Sequence, residues 1–147
     1  MGDKRAGIII RKRGTNLVLL EQGWGKSLPN NIYDIPKGHC EPGESIEEAA
    51  IREAFEEANI KVDEADLELI EISPYNSDTL AIFYCEIDFD IDKCKCSSTF
   101  ENQYGKVVPE VVGYKLFDFV KDDLENSHIY KNLRKILGGI FKKLPVY

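Results

Sequence analysis

Residues 38–60 read GHCEPGESIEEAAIREAFEEANI, and their pattern decides the fold. Ser45 with Glu48 three residues on is a capping box, the reciprocal side-chain and backbone pairing that opens a helix. Ser45 to Ala58 holds no Gly or Pro and only two β-branched residues, Ile46 and Ile51, so the spacing predicts a helix over 45–58. Asn59 is placed to end it in the left-handed conformation, which Asn tolerates better than most residues. With Ile46 at zero and about 100° per residue, Glu56, Glu53 and Glu57 fall at about 280°, 340° and 20°. Ala50, Ala54, Ala58, Ile51 and Phe55 occupy roughly 40° to 180°, an arc available for packing on a sheet with the acid stripe along its border.

Like charges three or four residues apart cost a few tenths of a kcal/mol per pair on an isolated helix, so the stripe calls for compensation. The plain reading is a solvated acidic face. The loop before the helix favours a cation instead. Gly38 permits close backbone approach, so residues 33–43 can set a carbonyl beside the stripe, while Glu44 and Arg52 can tie loop to helix. Magnesium suits such a place, because it takes hard oxygen ligands, keeps several waters and bridges carboxylates to substrate phosphates.

Outward from the helix, Ala6–Ile10 and Leu17–Leu20 are short apolar runs around Arg11-Lys12-Arg13-Gly14-Thr15-Asn16, which predicts a hairpin. Residues 21–31, with Gly23, Gly25, Pro29 and two Asn, read as a loop, and Pro36 forbids a central strand through Tyr33–Gly38. Leu67–Ile72, Leu80–Phe89 and Val107–Val120 read as strands, the last interrupted by Pro109 and Gly113; Lys93–Gly105 reads as a polar loop. Ile129, Leu133, Ile136, Leu137 and Ile140 share one stripe of a helix over 127–141. This order implies an α/β fold, a mixed sheet with helices on its faces.

The 147 residues make one domain, 1–147, large enough to bury a core unaided. With 43% apolar and 31% charged residues the chain is globular in composition. No apolar run approaches the roughly 18 residues of a spanning helix, and Met1–Gly7 resembles neither a signal peptide nor a myristoylation site. The expectation is a soluble, cytoplasmic protein that does not engage membranes. Cys40, Cys85, Cys94 and Cys96 are irregularly spaced and read as reduced thiols; Cys94 and Cys96 form C-x-C, so a zinc site would need Cys40 or His39 from far away. The net charge is −7, and residues 41–71 carry twelve acids against Arg52 and Lys61. That distribution does not suit a protein wrapped in nucleic acid.

Gly38, Glu44, Arg52, Glu53, Ala54, Glu56, Glu57 and Ile60 match G-x5-E-x7-R-E-U-x-E-E-x-G-U, where U is apolar, with Asn59 in place of the usual Gly. This closely resembles a Nudix box. The resemblance implies an α/β/α sandwich and hydrolysis of a nucleoside diphosphate linked to another group, X, with Mg²⁺ or Mn²⁺. It makes Glu53, Glu56, Glu57 and the Gly38 carbonyl metal ligands, and Glu44 and Arg52 mainly structural. The attacking water's proton would go to Glu53 or Glu57, or to Glu110 on a downstream loop, whose plainer reading is a strand-edge surface charge.

Residues 36–44, PKGHCEPGE, resemble the diadenosine tetraphosphate hydrolase branch, where P-K-G-H-x-E-P-G-E is familiar. Lys37 would then contact phosphate. Tyr33 stands where that branch often has Trp, Tyr75 and Tyr84 are candidate adenine platforms, and Lys12 and Arg13 are candidates for distal phosphates. Lys131, Arg134 and Lys135 leave an RNA 5′ end open as a partner, and diphosphoinositol polyphosphates are a further substrate class. A Nudix-fold binding module without catalysis is the non-enzymatic alternative, against which the intact acids stand. Either a monomer or a homodimer fits this reading.

Overall fold

The apolar runs flanking residues 11–16 form the expected hairpin, and the way it opens builds the site. The computed structural model describes residues 2–23 and 32–147; residues 24–31, most of the segment read as a loop, lie outside the described residues. Strand β1 (Lys4–Lys12) meets β2 (Leu17–Gly23) at Arg11 and Val18 and then parts from it. Residues 33–39 fill the gap. β3 (Tyr33–Asp34) pairs with β2 at Gln22 and Glu21, the chain crosses at Ile35–Pro36, and β4 (Lys37–His39) pairs with β1 at Gly7, Ala6 and Arg5. Pro36 has no N–H to offer a ladder and sits at the crossing, where its carbonyl accepts the Ile8 N–H at 3.0 Å.

After helix α1 (Ile46–Ala58) come β5 (Glu68–Tyr75) and β6 (Asp78–Ile87), an antiparallel pair whose second strand runs parallel to β1. β7 (Thr99–Glu101) and β8 (Val107–Pro109) make a separate two-stranded ribbon, and β9 (Val111–Asp118) returns beside β2. The main sheet is mixed, in the order β3-β2-β1-β6-β5 with β4 on β1 and β9 on β2. Alternate residues of β1 enter two cores, as expected of a central strand covered on both faces. Ala6, Ile8 and Ile10 meet α1, while Ile9 meets helix α2 (Lys131–Phe141) through Leu133 and Leu137. The result is the α/β/α sandwich expected.

The details depart from the sequence reading in four places. Thr99–Glu101 is a strand inside the expected loop. The 107–120 strand is two strands broken at Glu110. α2 starts at Lys131 rather than Ser127, because His128 takes a left-handed φ of 61° that no helix continues. α1 is rotated relative to the expected packing arc: Ala49, Ala50, Ala54 and Ala58 are buried, Glu53 and Glu57 are only 7% and 5% exposed, and Phe55 is 43% exposed. Four alanines opposite Ala6 let the helix lie close to β1, which draws the acid stripe into the interface instead of leaving it at the border.

Asn59 ends α1 at φ 59° and ψ 32°, the left-handed cap, with its N–H returned to the last turn. Asn59→Ala should cost about 1 kcal/mol and Asn59→Gly little or nothing, because only the former puts an unassisted Cβ into that conformation. Urea unfolding of the two variants checks this.

Candidate active site

The capping box forms as expected: Ser45 Oγ accepts the Glu48 N–H and Glu48 Oε1 accepts the Ser45 N–H, each at 3.0 Å. This anchors α1 so that its acids face β4. Arg52 is the hub. Its Nε and Nη2 donate to the two oxygens of Glu44 at 2.8 and 3.0 Å, Nη2 also to the His39 carbonyl at 3.0 Å, and Nη1 to Glu53 Oε1 at 2.8 Å and Glu56 at 3.4 Å. A planar fork reading a carboxylate with two donors is the geometry guanidinium serves best. The bond to Arg52 holds the Glu44 carboxyl below the ordinary range. Loop, helix and acid are thereby one unit.

Gly38 faces Glu53 so closely that a Cβ built on it would lie 2.2 Å from Glu53 Oε1. Only glycine allows the β4 backbone to approach the carboxylate in this way. Deeper in the split between β1 and β2 lies Glu57, whose Oε1 accepts the Lys37 N–H at 3.2 Å, while Tyr114 of β9 donates its hydroxyl to the Glu57 carbonyl. Beside it is Glu21 of β2, 4% exposed and hydrogen-bonded to the Glu57 carboxyl. Burial pushes Glu21 up to about 8, reinforced by the charge of Asp34 and opposed by Glu57 and Lys37. Burial, and then Glu21, raise Glu57 as well; burial also raises Glu53 against the pull of Arg52. The cluster is a set of hard oxygen donors short of positive charge.

A raised carboxyl pKa has a definite linkage. Below about 4.5, the ordinary value, folded and unfolded Glu21 are both protonated; between 4.5 and about 8 only the unfolded state has lost the proton. Stability therefore falls as pH rises through that window. In chelator-treated protein the melting temperature of Glu21→Gln minus that of wild type should widen from pH 5 to pH 8, by a few kcal/mol in free energy. A flat difference would contradict the burial of an ionisable Glu21.

On the other face of the same segment, Lys37 pairs with Asp34 at 2.8 Å and lies 5.2 Å from the Tyr75 ring centre. Burial opposes its charge, and Asp34 more than offsets that, so the amine stays above its ordinary value. Arg5, bonded to Asp78 at 2.6 Å, lies over the same ring. Arg5, Lys37, Tyr75, Asn76, Tyr130 and Lys131 line a cleft of about 470 Å³. Lys37 thus belongs to both features, its N–H on Glu57 and its ammonium at the cleft.

The structure brings Gly38, Glu44, Arg52, Glu53, Glu56 and Glu57 together and sets Lys37 beside them. Tyr75 lines the cleft, though as a buried ring covered by two cations, not an open platform. Tyr84 is not there. It lies on the α2 side, taking a bond from the buried Arg11 at 3.2 Å, and that guanidinium also stacks between Phe119 and Tyr147. Lys12 is also remote, six residues along β1 from the partner of Gly38, roughly 20 Å. Arg13 beside it faces Asp88 at 3.3 Å. Tyr33 carries Lys115 at 4.0 Å from its ring centre. Glu110 is exposed at the β8–β9 break, its N–H bonded to the Ser98 carbonyl at 3.1 Å, beside Ser97, whose N–H bonds the Glu56 carbonyl at 2.7 Å. Of the basic residues on the last helix, Lys131 reaches the cleft and Arg134 turns back to Glu125.

Glu21, Asp34, Arg5 and Tyr114 were missed from sequence. Glu21 had a signal: it follows Leu19 by two, so extending the strand puts it on the same, α1-facing side.

The residues fit a divalent cation in chemistry. All donors are oxygen, one buried carboxylate oxygen of Glu21 has no partner, and the Gly38 backbone lies open to Glu53. Among the described residues no three acidic, His or Cys side chains are grouped so as to hold a metal ion by themselves, and Arg52 pairs with both Glu53 and Glu56. An open site completed by water and phosphate oxygens is the magnesium pattern.

A NUDIX domain model matches residues 2–119. The chain belongs to the Nudix family, whose members generally use divalent metal ions. It is 36% identical over 90 residues to an uncharacterised 17.7 kDa protein of the e-segB intergenic region of enterobacteria phage T4, a match spanning 57% of this chain and 60% of that one. Among solved structures it is similar to a MutT described from Aliivibrio salmonicida and Vibrio cholerae (TM-score 0.67, 14% identity, 98% and 100% of the chains covered). It is similar also to a Caenorhabditis elegans Ap4A hydrolase in a binary complex (TM-score 0.58, 23% identity, 97% and 99% covered). At such identities the two structures speak for the fold. No helix among the described residues is long and apolar enough to cross a membrane.

Proposed function

We propose that this chain hydrolyses a phosphoric anhydride of a nucleoside diphosphate linked to X, using Mg²⁺ for which Mn²⁺ can substitute. X is proposed to be a second nucleotide on a polyphosphate, as in diadenosine tetraphosphate. The observation that carries the reading is Lys37, which joins the carboxylate cluster to a cleft bearing Arg5 and Lys131. A chain of phosphates laid along that line meets three cations before it reaches the acids. The PKGHCEPGE string and the likeness to an Ap4A hydrolase support the choice of X.

Glu53, Glu56 and Glu57 with the Gly38 carbonyl would hold the cation. Bound there, a divalent cation would supply charge to neutralise phosphate oxygens and would make the attacking water more acidic. Arg52 keeps Glu53 from swinging away. Glu53, Glu57 or Glu110 takes the water's proton as its oxygen bonds to phosphorus and the bridging oxygen leaves with the second phosphate. Glu110 follows a segment whose backbone meets that of Glu56 through Ser97; Glu110→Gln leaves the rate close to wild type if the base is on α1, and a large loss gives the base role to Glu110.

The test is Mg²⁺-dependent cleavage of diadenosine tetraphosphate, ADP-ribose, nucleoside triphosphates, 5′-triphosphorylated RNA and a diphosphoinositol phosphate, with products identified by mass spectrometry. ATP plus AMP from the dinucleotide should form fastest. If RNA or the inositol pyrophosphate wins, the chemistry stands and the substrate assignment falls; if nothing is cleaved, the hydrolase reading falls in favour of a Nudix-fold binding module.

A further inference from the structure

Glu21 lies outside the Nudix signature, yet it is the most buried carboxylate of the site. One of its oxygens has no hydrogen-bond partner among the described residues, and none of their ion pairs includes it. The nearby donors are committed elsewhere. Lys37 gives its ammonium to Asp34 at 2.8 Å and its N–H to Glu57 at 3.2 Å, and Tyr114 gives its hydroxyl to the Glu57 carbonyl. The neighbour that Glu21 does face is another acid, Glu57. Burying a carboxylate with an unsatisfied oxygen beside a second carboxylate is among the costlier arrangements a core can hold. Strand β2 nevertheless places it there, opposite Asp34 on one side and Tyr114 on the other.

Resting on the metal-dependent reading above, we propose that Glu21 is itself a ligand of the divalent cation, shared with Glu57, so that the metal site spans the split in the sheet from α1 to β2. Two carboxyl groups facing each other with no internal cation become, once deprotonated, the hard oxygen donors such an ion takes. The metal then joins the two strands that part after Val18, and occupancy of the site contributes to the stability of the fold as well as to turnover.

The experiment is Mn²⁺ binding to the full chain by calorimetry and by the metal-induced rise in melting temperature, without substrate, for wild type, Glu21→Gln, Glu21→Asp and Glu57→Gln. Glu21→Gln should bind Mn²⁺ about tenfold more weakly or worse and lose most of the metal-induced rise, while its chelated form melts no lower than wild type, which shows that it folds. Glu21→Asp, keeping a carboxylate, should retain more affinity than Glu21→Gln. Unchanged binding in Glu21→Gln alongside a loss in Glu57→Gln would overturn the assignment of Glu21 and leave the Nudix chemistry standing. Equal losses in the Gln and Asp variants would also overturn it. No Mn²⁺ binding by wild type would overturn both readings.

Discussion

Glu57→Gln should leave the fold intact and lower metal-dependent turnover by on the order of 10³-fold. The substitution preserves volume and an oxygen to accept the Lys37 N–H, so the link between α1 and β4 survives. It removes an ionisable carboxyl from a position that is 5% exposed, where burial and then Glu21 oppose its charge, so the metal-free protein no longer bears the cost of keeping that group protonated. Two readouts should therefore move in opposite directions: the chelated melting temperature rises while kcat collapses. A variant that merely misfolds lowers both, and near wild-type turnover would remove Glu57 from the mechanism.

Gly38→Ala should be the next most damaging change, through geometry alone. The added Cβ would lie 2.2 Å from Glu53 Oε1 and 2.5 Å from its carboxyl carbon. Glu53 has little freedom to yield, because Arg52 holds it at 2.8 Å and is itself fixed to Glu44 and the His39 carbonyl. Either that clamp breaks or β4 moves away from β1. Displacing a catalytic carboxylate by about 1 Å can cost on the order of 10² in rate, and overpacking a fitted contact costs about 1–3 kcal/mol. Steady-state kinetics beside a thermal melt would show both losses together. Full activity in the alanine variant would mean that the Gly38 backbone need not approach Glu53.

What could be read along the chain was what local chemistry dictates. The capping box and Asn59 bounded α1, the apolar stripe through Leu133 and Leu137 marked α2, and Pro36 marked a break in any central strand through 33–38. The signature acids could be named because they sit on one helix at helical spacing. Glu21 could not, since its burial comes from β3 and β9 pairing on either side of β2, contacts made across 13 and 93 residues of chain. The facing side of α1 was read in part: Ala50, Ala54 and Ala58 of the expected arc are buried, but Ile51 and Phe55 at its far edge are not. The buried face also takes in Ala49, Glu53 and Glu57, which pack toward β1 beside Ala6. Tyr84 and Lys12 looked suitable by residue type, and only the register of β1 with β4 and β6 shows them turned or carried away from the acids.

The most direct measurement is hydrolysis of diadenosine tetraphosphate in ¹⁸O-labelled water with Mg²⁺, and again after chelation, with mass spectrometry of the products. One ¹⁸O in either ATP or AMP, and no cleavage after chelation, is the expected result, since water must attack phosphorus and an anhydride bond must break. Cleavage that persists at the same rate without the metal, or products that carry no label, would contradict a metal-dependent pyrophosphohydrolase built on Glu53, Glu56 and Glu57.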